Sequence, residues 1–248
     1  MLGLLIFAAF VLLLWGCAWF GATIIGPRGR TEPGAREDFN LLLAAALTLV
    51  GLIIGFSFSM AASRYDQRKN TEEAEANAIG TEYLRAGLLP TADAARVRTL
   101  LREYLDERVL FYTTRDSSRL QQINEQTART QALLWSAVQA PALAQPDVLK
   151  SLAIAGMNDV FNSQGYTQAA WRNHIPAAAW ALMILVAMLG NAMVGFAFTR
   201  LPHPSVRLLV LPLLVSTAWI LIADIDSPRG GVIHVHPDNL VSLAAALR

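Results

Sequence analysis

The sequence predicts an all-α integral membrane protein with four transmembrane helices in two pairs and a helical bundle between the pairs. Three observations carry that expectation. Of 248 residues, 54% are hydrophobic and 16% charged, and the mean hydropathy is +0.39, a balance that excludes disorder and is high for a soluble domain. Four apolar runs reach the roughly 20 residues that cross a hydrocarbon core of about 30 Å. The long segment between the second and third repeats its apolar residues at three and four, the helical period.

Leu2–Ile25 and Phe39–Ala62 form the first pair. No Lys or Arg precedes the first run, and it exceeds the length of a signal core, so it is expected to be a retained span. Gly26-Pro27-Arg28-Gly29-Arg30 and Glu32-Pro33-Gly34 are expected to stop that helix and turn the chain. A helix is expected from Ser63 into Leu88, ending at Pro90. Thr91 opens another, with Asp93 in its first turn and a stripe of Val97, Leu100, Leu101, Tyr104, Leu105 and Leu110. A third, Ser118–Val138, carries Leu120, Ile123, Leu134 and Val138; a fourth begins near Pro146 with Val148, Leu149, Leu152, Val160 and Phe161. Pro176–Thr199 and Val206–Ala223 form the second pair, with Arg207 at the boundary and Arg200-Leu201-Pro202-His203-Pro204 as the link. The expected divisions are thus residues 1–62, 63–175, 176–225 and a tail, 226–248. An even number of spans puts both termini on one side. Arg64, Arg68, Lys69, Arg172 and Arg229 on that side balance Arg28, Arg30, Arg36, Arg200 and Arg207 on the other, so charge bias leaves the orientation open.

Twenty basic against nineteen acidic side chains give a net charge of +1, which recruits no nucleic acid. Cys17, the single cysteine, excludes an internal disulfide and a Cys-based metal cluster. His234-Val235-His236 has the spacing of a weak metal pair, with Asp238 the one acid nearby, and no metal is expected there. No GxxxxGK[ST], GxGxxG, GxSxG or HExxH pattern occurs, so neither an enzyme nor a cofactor is expected.

The second span carries a small or polar stripe, Asn40, Ala44, Thr48, Gly51, Gly55, Ser59 and Ala62. Such a stripe permits close helix packing. In a ring of subunits it equally lines a pore, with Leu52, Phe56 and Met60 as an apolar constriction. Beyond the span, Glu75 and Glu82 lie seven apart, while Asn77, Thr81 and Arg85 follow at four and suit a hydrogen-bonded ladder; the group reads as a solvated or interhelical face, or as a polar vestibule. Glu75 and Glu82 have the types of an acid and base pair, without a convergent substrate pocket. Asp224 and Asp226 sit where the last span ends and face the negative end of its dipole, so they call for a partner such as Arg229 or Arg64; repeated round an oligomer they make an acidic ring. Asn191 is expected to bond between helices.

SMAASRYDQRK at the end of the second span, EAEANAIGTEYLRAGLLP, RVRTLLREYLDERVLFY and LIADIDSPRGGVI together resemble the bacterial bestrophin-like membrane proteins, over most of the chain. Bestrophins are pentameric ion channels with four membrane segments and a large cytoplasmic helical domain; animal members pass chloride and a bacterial relative passes cations. The resemblance implies a multi-pass protein of the bacterial inner membrane with a cytoplasmic central domain and termini. It also implies a homo-oligomer, a pentamer, that contacts lipid and inorganic ions, its pore lined by the second span and its neck near Phe56. Two features depart from bestrophins. No run of acids comparable to their calcium clasp follows the last span, and Ser57 and Ser59 interrupt the neck. The alternative is a non-conducting membrane scaffold or signalling protein that acts through its helical domain.

Overall fold

The computed structural model describes residues 2–25, 33–198 and 206–248. The expected turn at Gly26–Glu32 and the link at Arg200–Pro204 lie outside the described residues. Regular structure among the described residues is helical: α1 (Leu2–Phe20) with a π-helical turn (Gly21–Ile25), α2 (Pro33–Arg85), α3 (Thr91–Thr113), α4 (Ser117–Ala144), α5 (Val148–Arg172), α6 (Ala177–Ala197), α7 (Val210–Asp226) and α8 (Asp238–Ala246). Four helical stretches, Gly3–Ile24, Glu37–Leu88, Val148–Ala197 and Arg207–Asp226, are long and apolar enough to cross a membrane. The chain divides into two compact units, Met1–Ser63 with His174–Ser227 and Arg64–Asn173 with Pro228–Arg248.

Several boundaries differ from expectation for local reasons. Pro33, expected in a turn, is the first residue of α2, where its missing N–H leaves no bond unmade and its fixed φ suits the helix. Nothing between Ala62 and Arg85 breaks the helix, and Glu, Ala, Arg and Gln favour it, so α2 continues for 53 residues. The third helix of the central segment runs past Val138 to Ala144. Its end is sealed by Lys150, whose Nζ donates to the Pro141 carbonyl at 3.2 Å and to that of Gln145 at 2.8 Å. Asp116 caps the start of α4 by accepting from the Arg119 amide at 2.7 Å, and Asp147 caps α5 by accepting from that of Leu149 at 3.1 Å. In the segment read as a tail, α8 forms because Leu240, Leu243, Ala244 and Leu247 repeat at three and four and meet the apolar core.

In the first unit α1 packs on α6 and α7. Leu14, Ala18 and Ala22 of the α1 segment are buried at intervals of four, as are Met183, Ala187, Asn191 and Gly195 of α6. The backbones touch. A Cβ on Gly195 would strike the Ala18 carbonyl, and one on Gly21 would strike that of Ala192. In lipid, where apolar burial gives helices little reason to associate, such close backbone approach supplies the attraction by dispersion. Trp219 of α7 packs edge-on against Phe10, with ring centroids 5.1 Å apart.

The second unit has one apolar core, in which Ile79, Val97, Leu101, Tyr104, Leu105, Leu134, Met157 and Leu240 are almost fully enclosed. Threaded through it is a charged stripe on α2: Arg68, Glu72, Glu75 and Glu82 are buried in register with Ile79 and Ala86. Arg68 donates to the carbonyls of Ala170 at 3.3 Å and Asn173 at 3.0 Å, at the C-terminal end of α5. Glu72 accepts from the Leu240 amide at 2.9 Å and the Asn239 side chain at 2.6 Å, at the N-terminal end of α8. Each charge thus meets the helix end of opposite partial charge. Glu75 pairs with Arg108 and also accepts from Tyr112 at 3.2 Å and Thr167 at 3.0 Å. Glu82 differs: among the described residues neither of its buried oxygens has a hydrogen-bond partner. It lies against Gly156, where a Cβ would strike its carboxyl.

Two outcomes test this packing. Gly195→Ala forces α1 and α6 apart and is expected to cost about 1–3 kcal/mol, seen as a lower melting temperature in detergent, whereas Gly165→Ala, which meets open space on α5, is expected to be neutral or stabilising. Burial pushes the Glu82 carboxyl up to about 8, a rise that Arg85 opposes and Asp159 reinforces. In the unfolded chain it ionises near about pH 4.3, so over the intervening range the folded state holds a proton that the unfolded state has lost, and stability falls as pH rises. Glu82→Gln is expected to flatten that fall between about pH 5 and pH 8.5; an unchanged slope in thermal unfolding would refute the assignment.

Candidate functional site

Along the apolar part of α2, one face is packed and the other open. Val50, Ser57 and Ala61 are buried. Val50 meets the Gly190 position of α6, where an added Cβ would lie 3.2 Å from its Cγ2, and the Ser57 hydroxyl donates to Met183 Sδ at 2.9 Å. At 100° per residue the small and polar stripe lies on the opposite face. Asn40, Ala44, Thr48, Gly51, Gly55 and Ser59 are exposed, Ala62 partly so, and no atom lies within 4 Å of a Cβ built on Gly51 or Gly55. Leu52, Phe56 and Met60 are likewise exposed, at 52%, 63% and 42%. Among the described residues the stripe is therefore open. Thr48 satisfies its hydroxyl within α2 by donating to the Ala44 carbonyl at 2.8 Å.

The polar residues further along α2 separate into two faces. Asn77 and Thr81 are exposed, on the side that carries Thr48 and Ser59 at helical register, and no hydrogen-bonded ladder joins them to Arg85. Arg85 instead reaches Asp159 of α5 at 3.6 Å. Glu75 is fully buried with Arg108, so it faces the core, away from Asn77 and Thr81. Glu75 and Glu82 share the inward face but not a site: the first is ion-paired, the second unpartnered.

Asp226 is buried, and its carboxylate accepts from the Ile175 amide at 3.2 and 3.0 Å. His174 Nδ1 donates to the Asp226 carbonyl at 3.1 Å. The acid thus faces the start of α6, a site of positive partial charge, which answers the unfavourable end of α7. Asp224 is partly exposed. Arg229, expected as a partner for these acids, donates to the Phe111 carbonyl at 2.7 Å and that of Thr114 at 2.8 Å and lies over the rings of Phe111 and Trp171. Asn191, expected to bond between helices, donates to the Ala187 carbonyl of its own helix at 2.8 Å.

Sequence reading missed the inward roles of Arg68, Glu72 and Arg108. The signal was present: Arg68, Glu72 and Glu75 fall in register with Ile79 and Ala86, so the stripe that must meet the core carries charge.

No curated protein matches this chain. Among solved structures, a bacterial bestrophin homologue from Klebsiella pneumoniae is similar at 16% identity, covering 98% of this chain and 97% of that one, with a TM-score of 0.67. A tryptophan-to-alanine variant of the Klebsiella protein is similar at 15% identity over 98% of this chain and 94% of that one, with a TM-score of 0.70. At such identity the likeness is one of fold. The Bestrophin-like domain model matches residues 8–240. With that match spanning nearly all of the sequence, the chain belongs to the bestrophin-like family of membrane proteins.

Proposed function

We propose that this chain is one subunit of a homo-oligomeric ion channel, a pentamer, whose pore is lined by the exposed stripe of α2. The observation that carries the reading is the open face of a membrane-length helix. The Thr48 and Ser59 side chains are exposed and Gly51 and Gly55 meet no described atom, yet hydroxyls and glycines gain nothing from contact with lipid tails. A ring of subunits turns that face to a common axis, where hydroxyls and backbone replace ion hydration and Leu52, Phe56 and Met60 form an apolar neck that gates by dewetting. Asn77 and Thr81 continue the same face into a polar vestibule. The central helical unit and the termini lie in the cytoplasm, and the protein resides in the bacterial inner membrane. Asp224 contributes a ring of acids near the membrane boundary. Family membership supports the reading, since the similar solved structures include a bacterial bestrophin homologue.

In planar bilayers the purified protein is expected to carry charge-selective current, and Phe56→Ala, which removes the bulk at the neck, is expected to raise single-channel conductance. A correctly folded oligomer that passes none of sodium, potassium or chloride would overturn the channel and favour the scaffold. A subunit mass in detergent that corresponds to a monomer or dimer would do the same.

A further inference from the structure

We propose that the cavity between the C-terminal end of α3 and the segment 228–237 binds a small tetrahedral oxyanion, a phosphate or phosphomonoester. The inference is independent of the α2 stripe. The cavity holds about 210 Å³ and is lined by Arg115, Arg229, His234 and His236, with Tyr112 and Thr114 among the remaining walls and no acid. Its size falls below the roughly 300–1,000 Å³ of sites for drug-sized ligands, which selects a small ion.

The charge in this cavity is uncompensated. Arg229 spends both protons of Nη1 on the Phe111 and Thr114 carbonyls and is clamped by two aromatic faces, its guanidinium carbon 4.5 Å from the Phe111 centroid and 4.4 Å from that of Trp171. Its Nε and Nη2 groups make no hydrogen bond among the described residues, and no carboxylate pairs with it. Burial pulls its pKa down to about 10, and the neighbouring charge of Arg108 adds to the fall. Arg108 is itself occupied by Glu75. Of the acids close in sequence to the lining, Asp226 accepts from the Ile175 amide, Asp116 accepts from Ser118 at 2.6 Å and from the Arg119 amide, and Asp224 and Asp238 lie outside the lining. A half-buried cation with idle donors and no counter-ion favours an external anion, and a guanidinium fork matches the spacing of phosphate oxygens.

Two histidines complete the lining. Their rings stack with centroids 4.4 Å apart, and His234 Nδ1 donates to the Val232 carbonyl at 3.1 Å. With Nδ1 so engaged, Nε2 is the ring nitrogen left to face a ligand. No group of three or more His, Cys, Asp and Glu converges among the described residues.

Isothermal titration of the protein in detergent with inorganic sulfate, a tetrahedral oxyanion of the expected size, tests this. At constant ionic strength, saturable binding is expected. Arg115→Gln and His236→Asn are each expected to weaken it several-fold; both side chains are exposed, so the fold is retained. Phosphate is expected to compete, and Phe56→Ala to leave binding unchanged. No saturable heat, or binding indifferent to both cavity substitutions, would overturn the site. Binding confined to nanodiscs that carry phosphatidic acid, with none to the free anions, would overturn the free-anion assignment and identify a lipid headgroup instead.

Discussion

Burying charge on one face of α2 is the constraint on which the second unit depends. A carboxylate or guanidinium taken out of water without a partner costs several kcal/mol, more than a contact in the surrounding core returns, so each charged position dictates what is placed beside it. Glu75 dictates most: Arg108 from α3, Tyr112 one turn later and Thr167 from α5 all converge on its two oxygens. Arg68 and Glu72, on either side of the same inward face, are answered by helix ends, which carry fixed partial charge and need no second ionised side chain. Three elements distant in sequence are thereby fixed to α2 within about two turns. The specificity is geometric as well as energetic, since an apolar stripe would tolerate sliding that a carboxylate facing one amide does not.

The first unit is built on the opposite principle. Among its described residues the only buried charged group is Asp226, at the unit's edge, and the attraction comes from backbone contact where Gly21 and Gly195 let α1 and α6 meet. The packed positions of α2 nevertheless obey one rule from end to end. Val50, Ser57, Ala61, Arg68, Glu72, Glu75, Ile79, Glu82 and Ala86 follow at steps of seven, four or three, a single stripe at about 3.6 residues per turn. Apolar and hydroxyl groups occupy it in the part long enough to cross a membrane, and charges occupy it beyond. The face left over, from Asn40 through Thr48 and Ser59 to Asn77 and Thr81, is continuous for the same reason.

Much of this was legible in the sequence. Four membrane-length runs, the helical period of the central segment and the small-residue stripe all depend on local composition, and Thr48, Phe56 and Ser59 fall on one open face as their spacing requires. The direction of a polar residue was less legible. Glu75 and Asn77 are two apart and point to opposite sides, and only the position of Ile79 tells which side is the core. Partners distant in sequence were harder still: nothing near Asp226 announces the Ile175 amide 51 residues earlier, and nothing near Arg229 announces the Phe111 carbonyl. Backbone groups at helix ends carry no sequence signature, so charges that bind them look unpaired until the fold is known.

The contrast in how α2 is held decides where it can yield. Beyond the apolar part, any rotation of the helix breaks the Arg68 cap of α5, the Glu72 cap of α8 and the Glu75 pair with Arg108 together, and an ion-pair partner removed in this way leaves a buried charge that costs about 3–5 kcal/mol. Within the apolar part, Val50 against Gly190 and Ser57 on a methionine sulfur are contacts of dispersion and weak hydrogen bonding, which re-form at a neighbouring register for little cost. Gly51 and Gly55 leave the backbone there unencumbered on its open side. Rotation of α2 is therefore resisted less between Asn40 and Met60 than along the charged stripe, where each buried charge has one partner position.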